Sequence, residues 1–520
     1  MTAALRQHLL DSRICGDVAT DRHDNLRNIG RLLDGHPSCT FGLPVPDRTS
    51  EEVLEVMVRL CGVHPDPSYD VGPDTIDVDL CVAALVRVRD RLAVAAAGRG
   101  AAAVLTDPAG ASRALASGLS VVVADDPRRV LGDTAAEVYG HPARAMTMLG
   151  VTGTNGKTTT AFLLDAGLRA AGHRAGLLGT VLTRVADQVV PSVRTTPEAP
   201  ELQGLLAVMR ERLVTAVSME VSSHALALGR VDGLVVDVAV FTNLSQDHLD
   251  FHADMADYEA AKAQLFTPRH ARRAVVNSGD AAGRRLAAAA LVPTTTYGTG
   301  GDWQAQDVEL RPDGSVFRLV GPGVDTTAGV RLPGAFNVDN ALAALAALVT
   351  AGVPAEAAVD GVATLAGVPG RMERVDAGQG FLAVVDYAHT PEAVTTLLAA
   401  VRAITAGRVI VVLGCGGDRD RAKRPLMGRA AVDGADIAVL TSDNPRGEEP
   451  AAILAEMASP GALVETDRRA AIERAVALAR PGDAVVVAGK GHESGQEAGG
   501  VVVPFDDRDV LRELLGAVRA

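Results

Sequence analysis

Three things are scarce in this sequence, and each scarcity narrows what it can do. Aromatic residues make up only 3% of the 520 residues, with a single Trp, so there is little material for the stacking platforms that hold single-stranded nucleic acid. Basic residues are outnumbered: 50 Lys and Arg face 64 Asp and Glu, a formal net charge of −14. That balance excludes a general nucleic-acid binder, which needs a basic face against phosphates. Long apolar runs are missing as well. The longest, such as 409–413 (VIVVL), have strand length, whereas a membrane helix needs about 20 residues. Neither a nucleic-acid partner nor a membrane partner is expected.

Cysteine is sparse too. Cys15, Cys39, Cys61, Cys81 and Cys415 form no CxxC pair and no His-flanked metal pattern, which reads as reduced thiols in a cytoplasmic protein. The opening residues, MTAALRQHLLDSR, carry no basic stretch followed by an apolar one, so no secretory leader is expected. What is present is ordinary globular material. Hydrophobic residues are 48% and charged residues 22%, enough for several cores and too apolar for disorder. At roughly 150 residues per domain, the length suggests three or four domains.

Residues 1–97 read as helix and loop. Thr49, Ser50, Glu51 and Glu52 form a capping box ahead of Val53, Leu54, Met57, Leu60 and Cys61 at helical spacing. A Pro/Gly-rich break at 64–74 precedes a second helix through Leu85, Val88 and Leu92. From Gly98 the pattern changes. Short apolar stretches at 101–106 and 119–124 read as buried strands, and strands then alternate with helices to the end. That alternation predicts an α/β protein with parallel sheets joined by crossover helices. Breaks at 141–146 (HPARAM) and 366–375 (AGVPGRMERV) divide the chain into 1–143, 144–366 and 367–520.

Residues 146–151 (MTMLGV) read as a strand and 158–171 as an amphipathic helix stopped by Gly172. Between and into them run Gly153, Thr154, Asn155, Gly156, Lys157, Thr158 and Thr159. Glycines let backbone N–H groups turn toward a phosphate at the helix N-terminus, Lys157 can reach outer phosphates, and the Thr158 hydroxyl can ligate Mg²⁺. The strict GxxxxGK(S/T) pattern is not met, because Val151 occupies the place of its first Gly. A Gly-rich turn with a surface Lys is the plainer alternative. A strand at 213–219 ends in Glu220, where a metal ligand beside a phosphate loop would sit, although many strands end in acids. Polar residues at 241–250 (FTNLSQDHLD) follow a third strand, on the edge where open α/β sheets bind ligands. His248 lies there, and taken alone it would be an ordinary loop histidine.

Together these residues resemble the Mur ligase family of ATP-dependent amide-forming enzymes. The resemblance rests on GVTGTNGKTTT (150–160), RTTPE (194–198), MEVSSHALALGR (219–230), FTNLSQDHLDFH (241–252), YEAAKAQLF (258–266) and GAFNVDNALAA (334–344). It continues through PGRMERV (369–375), DYAHTP (386–391), GCGGDRDRAKRPLMG (414–428), DNPR (443–446) and GKGHE (489–493), so it covers the chain from about residue 98 onward. It implies three domains, with a central P-loop ATPase-like parallel sheet and a C-terminal Rossmann-like α/β domain. It also implies ATP and Mg²⁺. Thr158 and Glu220 would hold one Mg²⁺; His248 and a carboxylated Lys262 would hold a second. Lys157, Glu220, His248 and Lys262 would form the catalytic set. Asn337 and Asn340 would meet the adenine, while Asp386 and His389 would approach ATP from the C-terminal domain.

The substrates follow from the same resemblance. Thr195, Thr196, Ser222 and Arg230 would hold a UDP-MurNAc-dipeptide, whose D-Glu carboxylate ATP converts to an acyl phosphate before an amine attacks. The DNPR form (Asp443, Asn444, Pro445, Arg446) implies meso-diaminopimelate as that amine. Its second carboxylate, which lysine lacks, suits a guanidinium fork. Arg419 would hold a carboxylate too, and Gly489 and Glu493 would accept from the distal ammonium.

Residues 1–97 depart from this pattern. Asp11, Ser12 and Arg13 only echo the family's Ser-Arg segment, and the stretch has a faint likeness to phosphatase-like proteins. No uridine-binding residues are assigned there. Two alternatives follow: the same ligase chemistry on a different acyl substrate, or a nucleotide-binding protein with an impaired uridine-substrate site. Intact Lys157, Glu220, His248, Lys262, Arg419 and Arg446 speak against the latter.

Overall fold

The structure is a computed structural model that describes residues 103–517, apart from positions 117, 119 and 193. The helical reading of 1–97, its capping box and the four cysteines before residue 98 lie outside the described residues. The first described unit pairs β1 (Ala103–Thr106) with β2 (Ser120–Val123) in parallel, with α1 (Ala111–Leu115) between them. Helix α2 (Pro127–Val138) follows, started by Asp126, whose side chain accepts from Arg128 N. HPARAM then forms a short 3-10 turn, Pro142–Ala145.

The central sheet has eight strands. In chain order the elements are β3 (Thr147–Thr152), α3 (Lys157–Ala170), β4 (Ala175–Leu178), β5 (Leu182–Val185), β6 (Gln188–Pro191), α4 (Ala199–Glu211) and β7 (Ala216–Glu220). They continue with α5 (Ser223–Ala227), β8 (Val236–Phe241), α6 (Met255–Ala263), β9 (Ala271–Asn277), α7 (Ala281–Ala289) and β10 (Thr294–Tyr297). Spatial order is β10-β9-β8-β3-β7-β4-β5-β6, parallel from β10 to β4, with β5 and β6 added antiparallel. Its strands read as near-continuous apolar runs because helices cover both faces. Met148 faces the layer built by α4 and α7, while Leu149 and Val151 face α3.

A three-stranded antiparallel sheet follows: β11 (Gln304–Arg311), β12 (Gly314–Gly321) and β13 (Val324–Val330). Helices α8 (Ala335–Thr350) and α9 (Ala355–Thr364) then pack on α3. Gly167 of α3 permits that approach, since a Cβ there would meet Leu348 Cδ1 at 2.2 Å.

The last sheet has six strands, in the order β14-β15-β19-β16-β17-β18. Its elements are β14 (Glu373–Arg374), β15 (Leu382–Asp386), α10 (Pro391–Ala403), β16 (Val409–Cys415), α11 (Lys423–Gly434), β17 (Ile437–Ser442), α12 (Pro450–Met457), β18 (Leu463–Val464), α13 (Arg468–Leu478) and β19 (Ala484–Ala488). A hairpin of β20 (Gly495–Ala498) and β21 (Val501–Pro504) and helix α14 (Asp507–Ala517) complete it. Along β16, Val409, Val411 and Leu413 face α10–α12, while Ile410 and Val412 face α13 and α14.

Most element boundaries shift by a residue or two from the sequence reading, and two bear on the site. The strand expected from 213 begins at Ala216, because Leu213 turns the chain at φ +58° and its side chain is exposed. The helix expected from 158 begins at Lys157. Among the described residues, no helix is long and apolar enough to cross a membrane.

Candidate active site

Two glycines shape the phosphate loop. Gly153 has φ +148°, and a Cβ there would lie 1.9 Å from the Thr242 hydroxyl; Gly156 has φ +86°, and its Cβ would lie 2.4 Å from Asn340 Oδ1. The loop is tied to the end of β8. Thr154 N donates to Asn243 O at 2.9 Å, Asn155 N to Asn243 Oδ1 at 2.9 Å, and Thr242 Oγ1 to Asn155 O at 2.6 Å. No side chain caps α3, which leaves its first N–H groups for an anion. Thr159 is buried in that first turn. Lys157 folds over the loop and donates to Gly153 O at 2.9 Å and Thr154 O at 2.8 Å. Burial pushes its ammonium below the usual lysine value, against the pull of Glu220 and Asp247.

Glu220 stands at the carboxyl end of β7, fully buried and fully engaged. Its Oε2 accepts from Thr158 Oγ1 at 3.0 Å and from Thr180 Oγ1 at 3.1 Å, while Oε1 accepts from Thr180 N at 2.7 Å. Thr180 Oγ1 is also 3.0 Å from Thr195 Oγ1, so one acid links the phosphate loop to the expected substrate threonines. Arg371 enters from the segment before β14. Its Nη2 donates to Thr158 Oγ1 at 3.2 Å, and its guanidinium lies 4.4 Å from the centre of the Tyr387 ring. Its place in PGRMERV assigns this arginine no role from sequence alone.

A second group gathers beside the loop. Lys262 on α6 is buried, donates to Gly153 O at 2.8 Å and lies 4.4 Å from the centre of the Tyr258 ring. Burial, with Lys157 adding to it, drives its amine well below the usual lysine value. His248 sits at φ +56° with Nε2 3.4 Å from Asp247 Oδ2, and burial pushes its ring down to about 3. His389 places Nε2 3.9 Å from the same oxygen and holds Nδ1 2.9 Å from Tyr387 O. Burial raises the Asp247 carboxyl, but His389, His248 and Lys423 outweigh it and keep it below the usual range. Asp247 was not singled out by sequence.

Among the described residues, no group of three or more His, Cys, Asp or Glu could hold a metal alone. Thr158 and Glu220 offer hard oxygen donors, which suits a Mg²⁺ whose remaining ligands are phosphate oxygens and water. Lys262 suits a cation only once its amine carries a carboxylate. Burial favours the neutral amine, the form that can acquire one.

On the substrate side, Thr196 Oγ1 donates to Glu220 O at 2.9 Å and accepts from Ser222 N at 3.1 Å; Ser222 in turn caps α5 through Ala225 N. Arg230 reaches Thr196 O at 3.5 Å and Glu198 at 3.0 Å. Glu198 is the hub sequence reasoning missed. Arg194 (2.9 Å) and Arg128 from α2 (3.1 Å) also meet it. Burial raises its carboxyl, but the three guanidiniums outweigh that and hold it low.

Asn337 and Asn340 are buried at the start of α8 and joined to each other at 3.0 Å, with Asn337 donating to Pro333 O. Asn340 borders the phosphate loop at Gly156. Both Asp386 oxygens accept backbone N–H groups, from Met372 at 2.7 Å and Ala388 at 2.8 Å, so that acid fastens the 370–374 segment. Burial raises it.

The DNPR turn lies at the carboxyl end of β17. Asp443 Oδ1 accepts from Asn444 N at 2.7 Å, and Asn444 Nδ2 donates to Glu493 Oε2 at 2.8 Å. Gly489 has φ +110° beside Asp443. Fully buried Lys490 donates to Asn444 Oδ1, Glu493 Oε2 and Gly495 O. Pro445 O accepts from Glu448 N, and Arg446 Nη1 donates to Gly417 O at 2.9 Å. Arg419 is exposed on the neighbouring loop, near Gly416 and Arg446.

Comparison with known proteins accounts for this arrangement. The family profile described as Mur ligase middle domain matches residues 151–348, and the one described as Mur ligase, glutamate ligase domain matches 370–491. A relative from Streptomyces coelicolor named UDP-N-acetylmuramoyl-L-alanyl-D-glutamate–2,6-diaminopimelate ligase is 57% identical over 499 residues, covering 91% of this chain and 98% of its own. The chain belongs to the Mur ligase family. As a Mur ligase it is an ATP-dependent acid–amino-acid ligase acting on small molecules. The Streptomyces alignment extends into the segment before residue 98, which this Mur ligase therefore shares in part with that relative. A profile described as Phosphatase matches residues 1–115, nearly all outside the described residues. A solved structure of a ligase bearing the same name as the Streptomyces relative aligns at TM-score 0.60 and 35% identity, over 83% of this chain and 90% of that one. UDP-N-acetylmuramoylalanyl-D-glutamyl-2,6-diaminopimelate–D-alanyl-D-alanyl ligase from Acinetobacter baumannii shares the fold at TM-score 0.55 and 18% identity, over 92% of this chain and 99% of that one.

Proposed function

We propose that this Mur ligase joins meso-diaminopimelate to the D-Glu carboxylate of UDP-MurNAc-L-Ala-D-Glu, using ATP, in the cytoplasmic stage of peptidoglycan synthesis. One observation carries the choice of amino acid. The DNPR turn sets the Arg446 guanidinium beside the loop that carries Arg419, in a chain 57% identical to a relative named for diaminopimelate. A guanidinium fork recognises the carboxylate that distinguishes diaminopimelate from lysine.

The parts would work in sequence. The three segments 1–143, 144–366 and 367–520 would supply the uridine substrate site, the ATP site and the amino-acid site. The α3 N-terminus and Lys157 would hold the ATP phosphates, with Asn337 and Asn340 at the adenine. Arg371 and His389 would arrive on the other side of the phosphates from the C-terminal segment. Thr158 and Glu220 would hold one Mg²⁺, and His248 with carboxylated Lys262 a second; the bound cations would neutralise phosphate charge. The neutral Lys262 amine adds to CO₂, forming an N–C bond, and the carbamic acid loses its proton to give an anion. Thr195, Thr196, Ser222 and Arg230 would hold the muramoyl dipeptide so that its D-Glu carboxylate attacks the γ-phosphorus and ADP leaves. The amine held by Asp443, Asn444, Arg446, Arg419, Gly489 and Glu493 then attacks the acyl carbon, and phosphate departs. Holding both partners in register supplies much of the rate. Release of ADP tests this: it should require the muramoyl dipeptide and rise further with diaminopimelate. ADP release indifferent to both would overturn the assignment.

A further inference from the structure

The DNPR turn is gripped from two sides. On one side, Gly447 N donates to Asp418 Oδ2 at 2.9 Å and Gly417 N to Asn444 O at 2.8 Å. On the other side stands the β20–β21 hairpin, closed by Gly499 and Gly500 at φ +58° and +77°, the signature of a tight two-residue turn. From it Gln496 Nε2 donates to Asp443 O at 2.6 Å, Glu497 N donates to Asn444 Oδ1 at 3.0 Å, and Gly499 N donates to Arg446 O at 2.6 Å. Arg446 N returns a bond to Glu497 O at 3.0 Å. The outer strand buries little: Val501, Val502 and Val503 are all exposed. What the hairpin secures is the turn.

Arg446 needs securing. Its φ of +51° is a conformation L side chains rarely adopt, and the β20 bonds hold it there. Its guanidinium is held as well, with Nε 3.5 Å from Glu497 Oε2 and Nη1 on Gly417 O. Nη2 has no partner among the described residues. We propose that Glu497, through the β20–β21 hairpin, is a positioning residue that turns the open side of the Arg446 guanidinium toward the second carboxylate of the incoming diamino acid. This rests on the diaminopimelate reading above. A carboxylate near Nε restrains the side chain while leaving Nη2 open to the ligand.

Steady-state kinetics of the full-length enzyme with meso-diaminopimelate and with L-lysine test it. Glu497→Ala should raise KM for diaminopimelate about 10-fold, the effect of losing one charge-assisted contact, with kcat and KM for ATP within about twofold. Lysine has no second carboxylate, so its kinetics should barely change and discrimination should fall by the same factor. Glu497→Gln keeps an acceptor oxygen and should recover most of the loss. An unchanged KM for diaminopimelate in Glu497→Ala, with a wild type that prefers diaminopimelate, overturns the positioning role alone. So does a loss shared equally by ATP and lysine. A wild type with no preference for diaminopimelate overturns the parent reading, and this inference with it.

Discussion

In the proposed reaction, much of the chemistry falls to two single residues, Lys262 and Arg446. Lys262 forms no ion pair among the described residues, and burial, with Lys157 adding to it, outweighs the pull of Asp247 and drives its amine toward the neutral form that can take up CO₂. Lys262→Ala should therefore lose most activity and regain part of it when a short carboxylic acid fills the vacated space. Full activity in the unsupplemented variant would contradict the role. Arg446→Lys swaps a planar fork for a point charge and should cost diaminopimelate use about 2–5 kcal/mol, read as a fall in kcat/KM. Residues of this kind could be singled out in the sequence because each sits inside a short motif. Arg371, Glu198 and Glu497 were not. Arg371 and Glu198 lie inside PGRMERV and RTTPE, but Arg371 meets Thr158 across 213 positions of sequence, and Glu198 gathers, besides Arg194 four residues away, the distant Arg128 and Arg230. No local spacing encodes the distant meetings.

At the scale of elements, the buried strands were the easiest to read. β3 and β16 are continuous apolar runs covered on both faces, and the phosphate loop between β3 and α3 is marked by its glycines. The β11–β13 sheet was hidden for the opposite reason: β11 is largely exposed, so no apolar alternation announces it. The loop makes its own prediction. Gly153→Ala would place a methyl on the Thr242 hydroxyl, at a φ that alanine resists. ATP affinity should drop at least about tenfold by calorimetric titration. Unaltered affinity would show that the loop can relax, and that its shape is not what binds phosphate.

Across the whole molecule, a few polar contacts join the parts. Arg128 of α2 reaches Glu198, and Arg371 and His389 reach the phosphate loop and Asp247 from the C-terminal segment. Several histidines here are kept neutral. Burial pushes His224 down to about 4 and His492 to about 3. Unfolded, each would titrate near 6.5, so between about 6.5 and 4 the unfolded chain binds more protons than the folded one. Their contribution to stability is therefore complete above about pH 6.5 and shrinks as pH falls through that window. The melting temperature should decline from pH 7 to pH 5, and His492→Gln should flatten the decline; an equally steep fall in the variant would contradict that cause.

On the proposed function, one chain both activates the muramoyl dipeptide with ATP and chooses diaminopimelate to receive it. Mass spectrometry of the products tests this most directly. The intact protein would be incubated with ATP, Mg²⁺, UDP-MurNAc-L-Ala-D-Glu and an equimolar mixture of meso-diaminopimelate and L-lysine. The diaminopimelate-bearing tripeptide nucleotide should be the dominant product, with one ADP and one phosphate released per amide bond. Lysine product in equal amount, or ADP released with no amide formed, would contradict it.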